Sequence, residues 1–168
     1  KRREAEEKLI YQQKLLDDTQ QLTKIGGWEY DVLKKEITWT KETFRIHGFD
    51  VHYIPTNSEE LINRSIQCYG KKYRKELTDA FNQCIQSGTP YDFTFPFKKL
   101  TGEQIWVRTF ARVEKENGKP VRIIGNIIDV TETKKIQERL KYRNSLGEAI
   151  KKISTILRSL KHFTPFLL

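Results

Sequence analysis

Few residues in this chain have a type and spacing that could do chemistry, and they are scattered. Cys68 and Cys84 lie sixteen positions apart, with no CxxC pair and no histidine close by. A zinc site wants four ligands in close pairs, so no metal centre is read here. Two reduced thiols packed as small apolar groups are the expectation. The three histidines, His47, His52 and His162, have no Ser/Asp or carboxylate pattern around them that would build a nucleophilic triad. No glycine-rich loop ending in lysine is present to cradle phosphates. These residues point away from catalysis.

What the chain does offer is aromatic surface. Three Trp, seven Tyr and nine Phe can fill the core of a domain of about 100 residues. The hydrophobic fraction of 37% is low and the charged fraction of 32% is high, as expected for one cored domain flanked by exposed helices. The net charge of +9 is unevenly placed: +1 over 1–24, +2 over 25–131 and +6 over 132–168. A nucleic-acid binder would concentrate basic and aromatic residues on its folded part. No aromatic-plus-basic array accompanies the Lys71-Lys72-Arg74-Lys75 cluster, so a solvated face is expected and nucleic acid is not. No apolar run approaches the ~20 residues of a membrane helix and no signal peptide opens the chain, so a soluble, cytoplasmic protein without direct membrane insertion is expected.

The elements that must position these side chains follow from periodicity. Residues 1–24 lack Gly and Pro and favour helix, with Leu9/Leu16 and Leu15/Leu22 seven apart, and Gly26-Gly27 is expected to stop it. Trp28, Tyr30 and Val32 alternate with acidic residues, and Ile37 and Trp39 alternate after a tight connection, which reads as a hairpin. Thr40 offers an N-cap for a short helix through Phe44 and Ile46, and Asn57 or Ser58 for a helix over Glu59–Ile66. Lys72–Gln86 places Leu77, Phe81, Cys84 and Ile85 on one helical face. Three strands follow: one alternating from Tyr91, one over 105–113, and one from Val121 after the hairpin signal Asn117-Gly118. Pro96 places the first of these at an edge or bulge.

A last helix begins near Asp129 or Thr131, where Asp129 and Glu132 have capping-box spacing. Leu146, Ile150, Ile153, Leu157 and Leu160 step by four and three, a two-heptad coiled-coil seam. The six-residue step from Leu140 to Leu146 predicts local over- or underwinding, or a break near Asn144-Ser145. The final KHFTPFLL is apolar with a proline.

Two strands, several small helices, three strands and an exit helix is the order of a PAS domain, and local segments agree. IGGWEYDV (25–32) resembles the family's opening "iGsWewD", and ITWTKETFRIHGF (37–49) its second strand and first helix. SGTPYDFTF followed by LTGEQIWVRTFARV resembles the third and fourth strands, and GKPVRIIGNIIDVTETKKIQERL the closing strand. There Asp129-Val130-Thr131 stands for the "D-I-T" that leads into the signalling helix. The resemblance covers about residues 22–135. The family's "hPdDr" and "eyR" are replaced here, around Cys68–Arg74 and by Phe93-Thr94-Phe95. KRREAEEKL resembles the stretch after a preceding PAS domain, and SLGEAIKKISTIL the helix that opens a following GAF domain.

The resemblance implies an α+β PAS fold: a five-stranded antiparallel sheet with short helices on one face, flanked by long N- and C-terminal helices. It divides the chain into a linker helix (1–24), the PAS domain with its PAC motif (25–131) and a signalling helix (132–168). It implies a cavity lined by Trp28, Tyr30, Ile37, Trp39, Phe44, Phe81, Phe93, Phe95 and Ile127, with Thr94, Thr109 and Asn126 as polar handles. The cysteine surroundings IQCYG and NQCIQ do not match the flavin-binding "GxNCRFLQ", and 72–86 carries no axial histidine for haem, so both cofactors are disfavoured. An unidentified small molecule is left as the ligand. No histidine-kinase phosphoacceptor box or ATPase block occurs, so the fragment itself is expected to be non-enzymatic. Asp129 and Thr131 are the expected signal joint. A homodimer through the flanking helices, with PAS, GAF or kinase domains of the same chain as neighbours, is the expected assembly. A histidine kinase or a diguanylate cyclase would be the output, and a ligand-free dimerisation spacer is the rival role.

Overall fold

A computed structural model describes residues 2–50 and 52–162. Along the chain run α1 (Arg2–Thr23), β1 (Ile25–Asp31), β2 (Glu36–Trp39), α2 (Lys41–His47), α3 (Ser58–Cys68) and α4 (Lys71–Ser87). β3 (Tyr91–Lys98), β4 (Gln104–Glu116), β5 (Lys119–Asp129) and α5 (Thr131–His162) complete the order. The residues of KHFTPFLL from 163 onward, and the side chains of Lys161 and His162, lie outside those described. The chain divides into two units, one ending at Val130 and the other beginning at Thr131.

In the first unit the strands form one antiparallel sheet in the order β2-β1-β5-β4-β3. Asn117 and Gly118 both take positive φ, 50° and 78°, the pair a type I′ turn requires, and so join β4 to β5. Pro96 sits on β3, at the edge of the sheet, where its missing donor is tolerated. Along β4 and β5 buried and less buried residues alternate, so Ile105, Val107, Thr109 and Ala111 face the same side as Ile123, Gly125 and Ile127. Helices α2, α3 and α4 cover that side, and the core lies between, around Leu77, Phe95, Phe97, Val107 and Ile127.

Two expectations need correction. Gly26-Gly27 does not stop α1: Lys24 does so with φ 54°, and both glycines are already in β1. Gly26 is there for close approach. A Cβ on it would lie 2.7 Å from the backbone N and Cα of Thr43, so only glycine lets α2 press onto the strand. The second correction concerns the exit helix, which runs unbroken through Asn144-Ser145, so of the two outcomes expected there the break does not occur. A slip in hydrophobic register changes which face meets a partner, but the backbone hydrogen bonds of a helix are local and do not sense it.

A candidate ligand cavity between sheet and helices

One row of residues crosses all five strands. Trp39 pairs with Trp28, Trp28 with Gly125, Gly125 with Ala111, and Ala111 with Tyr91. Large rings therefore stand at both ends of the row and the two smallest side chains at its centre. The Trp28 indole lies directly over Gly125, where any Cβ would collide with the ring. The adjacent row runs Gly26, Ile127, Thr109 and Phe93. Above these rows the helices leave a cavity of about 260 Å³.

Each helix contributes a stripe. Thr43 and His47, four apart, come from α2. Ile62, Ser65 and Ile66 come from α3, with Tyr69 just past its end, in the i, i+3, i+4, i+7 pattern of one face. Leu77, Thr78, Phe81 and Asn82 come from α4. The Trp28 and Phe81 rings are 6.2 Å apart and tilted by 44°, closing the wall between β1 and α4.

The polar groups that α2 and α3 give this wall are committed within the protein. The Thr43 hydroxyl donates to the Gly27 carbonyl at 2.8 Å, while the Gly27 N–H donates to the Thr40 hydroxyl at 3.0 Å. Thr40 thus occupies the N-cap position of α2 without capping it, its oxygen being spent on β1. His47 is buried and stacked 4.3 Å from Trp39. Its Nδ1 lies 2.8 Å from the Thr43 carbonyl, which can only accept, so Nδ1 carries the proton. Nε2 then accepts from the Ser65 hydroxyl, also at 2.8 Å. Burial lowers the pKa of His47 to about 4, against the hydrogen bond to Thr43, so the ring is neutral at pH 7. Across the sheet, the Thr109 hydroxyl and the Tyr69 and Tyr91 phenols line the cavity together, and burial pushes the ionisation of both phenols far up.

The sequence signature of the PAS fold matches residues 36–127. The chain belongs to the PAS fold family. Solved structures with the same fold include a sensory box histidine kinase/response regulator from Burkholderia thailandensis, with 18% identity and a TM-score of 0.59 over 79% of this chain and 98% of that one. A domain named for a light and redox sensing histidine kinase from Haloarcula marismortui shares 20% identity, with a TM-score of 0.54 over 70% of this chain and 99% of its own. The N-terminal domain of a diguanylate cyclase with PAS/PAC sensor from Marinobacter aquaeolei shares 10%, with a TM-score of 0.53 over 65% and 97%. At these identities the likeness shows the fold alone. No curated protein matches the chain in sequence.

Within this PAS domain, five of the nine aromatic and aliphatic residues expected at the cavity line it: Trp28, Ile37, Trp39, Phe81 and Ile127, together with Thr109. The other four lie elsewhere. Tyr30, two residues along β1 from Trp28, packs edge-on against Phe81. Phe44 turns toward Trp39 and Phe49 on the outer side of α2. Phe93 and Phe95 stack on each other at 5.1 Å, extended by Tyr91 at one end and Tyr73 at the other, which fills the β3 edge with rings. Thr94 is exposed, and Asn126 also belongs to the opposite sheet face from Thr109, because both fall on the wrong beat of the strand alternation. Thr43, His47, Ser65, Tyr69 and Tyr91 line the cavity without having been expected there. The α3 spacing was a usable signal for Ser65 and Tyr69; nothing local marks His47.

The incoming helix is tied to the cavity wall. Asp17 of α1 accepts from Lys41 at 3.1 Å and Arg45 at 3.3 Å, and Arg45 also donates to Glu42 at 3.0 Å. Against the penalty of partial burial, these hydrogen bonds hold the Asp17 carboxyl below its ordinary range, while burial raises that of Glu42. At the other end of the domain, β5 ends at Asp129 and α5 opens at Thr131. In α5, Leu146, Ile150, Ile153, Leu157 and Leu160 are exposed. Among the described residues no helix is long and apolar enough to cross a membrane.

Proposed function

We propose that the chain is a non-enzymatic sensory and signal-transducing PAS module of a multidomain signalling protein, with a histidine kinase as its output. One observation carries this reading. The strand that walls the cavity through Ile127 reaches Asp129 two residues later, and α5 begins at Thr131, so a displacement at the cavity has a covalent path of four residues to the exit helix. The α1 tie through Asp17 supplies a matching input from an upstream domain to α2, whose Thr43 and His47 face the same cavity. Two of the similar structures belong to histidine kinases, which favours that output over the cyclase of the third. The α5 seam is read as a parallel homodimer contact in the cytoplasm, between PAS or GAF neighbours of the same chain, with no role for nucleic acid. Switching such a dimer almost fully takes a differential binding energy of about 5.5 kcal/mol, and a partial bias far less.

The wall residues do not suit the two large PAS cofactors that the sequence also disfavours. Both ring nitrogens of His47 are engaged, so no lone pair is aimed at an iron. Neither Cys68 nor Cys84 lines the cavity, and burial raises the Cys68 thiol to about 11, far from a reactive thiolate.

A second reading, a ligand-free dimerisation spacer, is favoured by a different observation. Among the described residues no buried side-chain nitrogen or oxygen lacks a hydrogen-bond partner, so the cavity is not held open by an unmet polar demand. The two readings separate in the full-length protein carrying Asp129→Ala and Thr131→Ala. The sensor reading expects the signal-dependent change in output to disappear while urea denaturation of the 168-residue chain shifts by about 1 kcal/mol, the value of a helix cap. An output response that survives, or is lost only along with core stability, would falsify it.

A further inference from the structure

The cavity also says what kind of molecule it takes, an inference that rests on the sensor reading above. None of its sixteen lining residues is Asp, Glu, Lys or Arg, in a chain that is 32% charged. His47, the one titratable nitrogen base in the wall, is neutral and spends both ring nitrogens within the protein. An ionic guest would leave water with nothing to pair with, a penalty of several kcal/mol. Carboxylates, amines and phosphates are excluded on that ground.

Most of the polar capacity that remains gathers at one end, where three hydroxyls, on Tyr69, Thr109 and Tyr91, line the cavity, while Thr78 and Asn82 add a hydroxyl and a carboxamide from α4. Each hydroxyl carries one proton and two lone pairs, so this end can both donate to and accept from a guest. These groups stand over β4 and β3, whereas Trp28 and Trp39 rise from β1 and β2, the Trp28 indole reaching over Gly125 of β5. From β1 to β4 is two strand spacings, about 10 Å. An apolar cavity of about 150 Å³ takes benzene, roughly 25 Å³ per non-hydrogen atom, so 260 Å³ takes a guest of roughly ten.

We propose that the cavity binds an uncharged, flat, two-ring aromatic molecule with one hydrogen-bonding group, its rings among Trp28, Trp39 and Phe81 and its polar end at the Tyr69–Thr109–Tyr91 hydroxyls. The length of the trough, the tryptophans at one end and the hydroxyls at the other fix the class and the orientation together.

Calorimetric titration of the 168-residue chain with 2-naphthol, naphthalene and 2-naphthoate tests this. The expected order places 2-naphthol at least tenfold tighter than 2-naphthoate. Thr109→Val, which keeps the shape and removes the hydroxyl, lowers affinity for 2-naphthol roughly five- to tenfold and leaves naphthalene unchanged. Ile66→Trp, which fills the cavity from α3, abolishes binding of both neutral probes. Equal or tighter binding of 2-naphthoate overturns the uncharged class while leaving a ligand sensor in place. A Thr109→Val loss equal for 2-naphthol and naphthalene overturns the orientation. Binding of neither neutral probe to the unsubstituted chain overturns the proposal altogether. The Asp129/Thr131 variants then still decide whether the module transmits an upstream signal.

Discussion

The buried His47 makes fold stability depend on pH in a window where few other groups act. Its pKa is about 4 in the folded chain, against an ordinary value of 6.5. Above pH 6.5 the ring is neutral in both states and the contribution is fully present. As pH falls from 6.5 toward 4 the unfolded chain takes up a proton that the folded chain refuses, so stability is lost across that window and levels off below it. The full difference of 2.5 units between those two values corresponds to about 3 kcal/mol, of which about 2 kcal/mol falls between pH 7 and pH 5. The groups around the ring do not offset this: it meets the Thr43 carbonyl, the Ser65 hydroxyl, the Trp39 face and the Phe97 ring, with no carboxylate to hold a charge. Asp17, Asp31, Glu60 and Asp92 are held below their ordinary range, so their contributions are lost at lower pH. Glu42, raised by burial, works in the opposite sense as its carboxyl protonates. Urea denaturation at pH 7, 6 and 5 reads the effect, with His47→Gln as the control that keeps a donor and an acceptor but does not titrate. The unsubstituted chain should lose about 2 kcal/mol and the variant less than about 0.5 kcal/mol. A flat profile for the unsubstituted chain, or the same slope in the variant, would show that His47 is not the buried neutral base described here.

Gly125→Ala should destabilise the domain by about 3 kcal/mol, because its Cβ meets the Trp28 ring and lies 2.8 Å from the Phe110 carbonyl on a backbone that cannot retreat. Trp28 must move, so the tryptophan emission maximum should shift; a variant with unchanged stability and emission would mean that the indole does not lie on the strand. Asn57→Ala should lower stability by about 1 kcal/mol, since the Asn57 side chain accepts from the Glu60 N–H at 2.8 Å at the start of α3. Chemical denaturation checks this, and a change below about 0.3 kcal/mol counts against the cap.

What was legible in the sequence is what local geometry decides. The Asn117-Gly118 turn, the strand alternation and the helical faces follow from chirality and period, and each is where the residues put it. Cavity membership is decided by several elements at once, and there the sequence stops short. Phe93 shares a cross-strand row with Thr109 yet is not among the cavity's lining residues, because on the edge strand β3 it is stacked between the rings of Tyr91 and Phe95. Thr94 and Asn126 were placed by polarity alone, and the period-two rule, applied strictly from Phe95 and Ile127, would have moved both to the other face.

Gly26 and Gly125 show why the remainder could not be read locally. Each looks like a backbone device in sequence, yet neither has positive φ. Gly26 exists for Thr43, seventeen residues on, and Gly125 for Trp28, nearly a hundred residues back. A missing side chain is informative only once its neighbour across the sheet is known. The same holds for the chemistry. His47 finds one partner, the Thr43 carbonyl, on its own helix, and becomes a neutral acceptor only where α3 delivers Ser65 to Nε2. The polar end of the cavity likewise needs β3, β4 and the end of α3 to bring Tyr91, Thr109 and Tyr69 together. The row that floors the cavity is itself written in five separate segments.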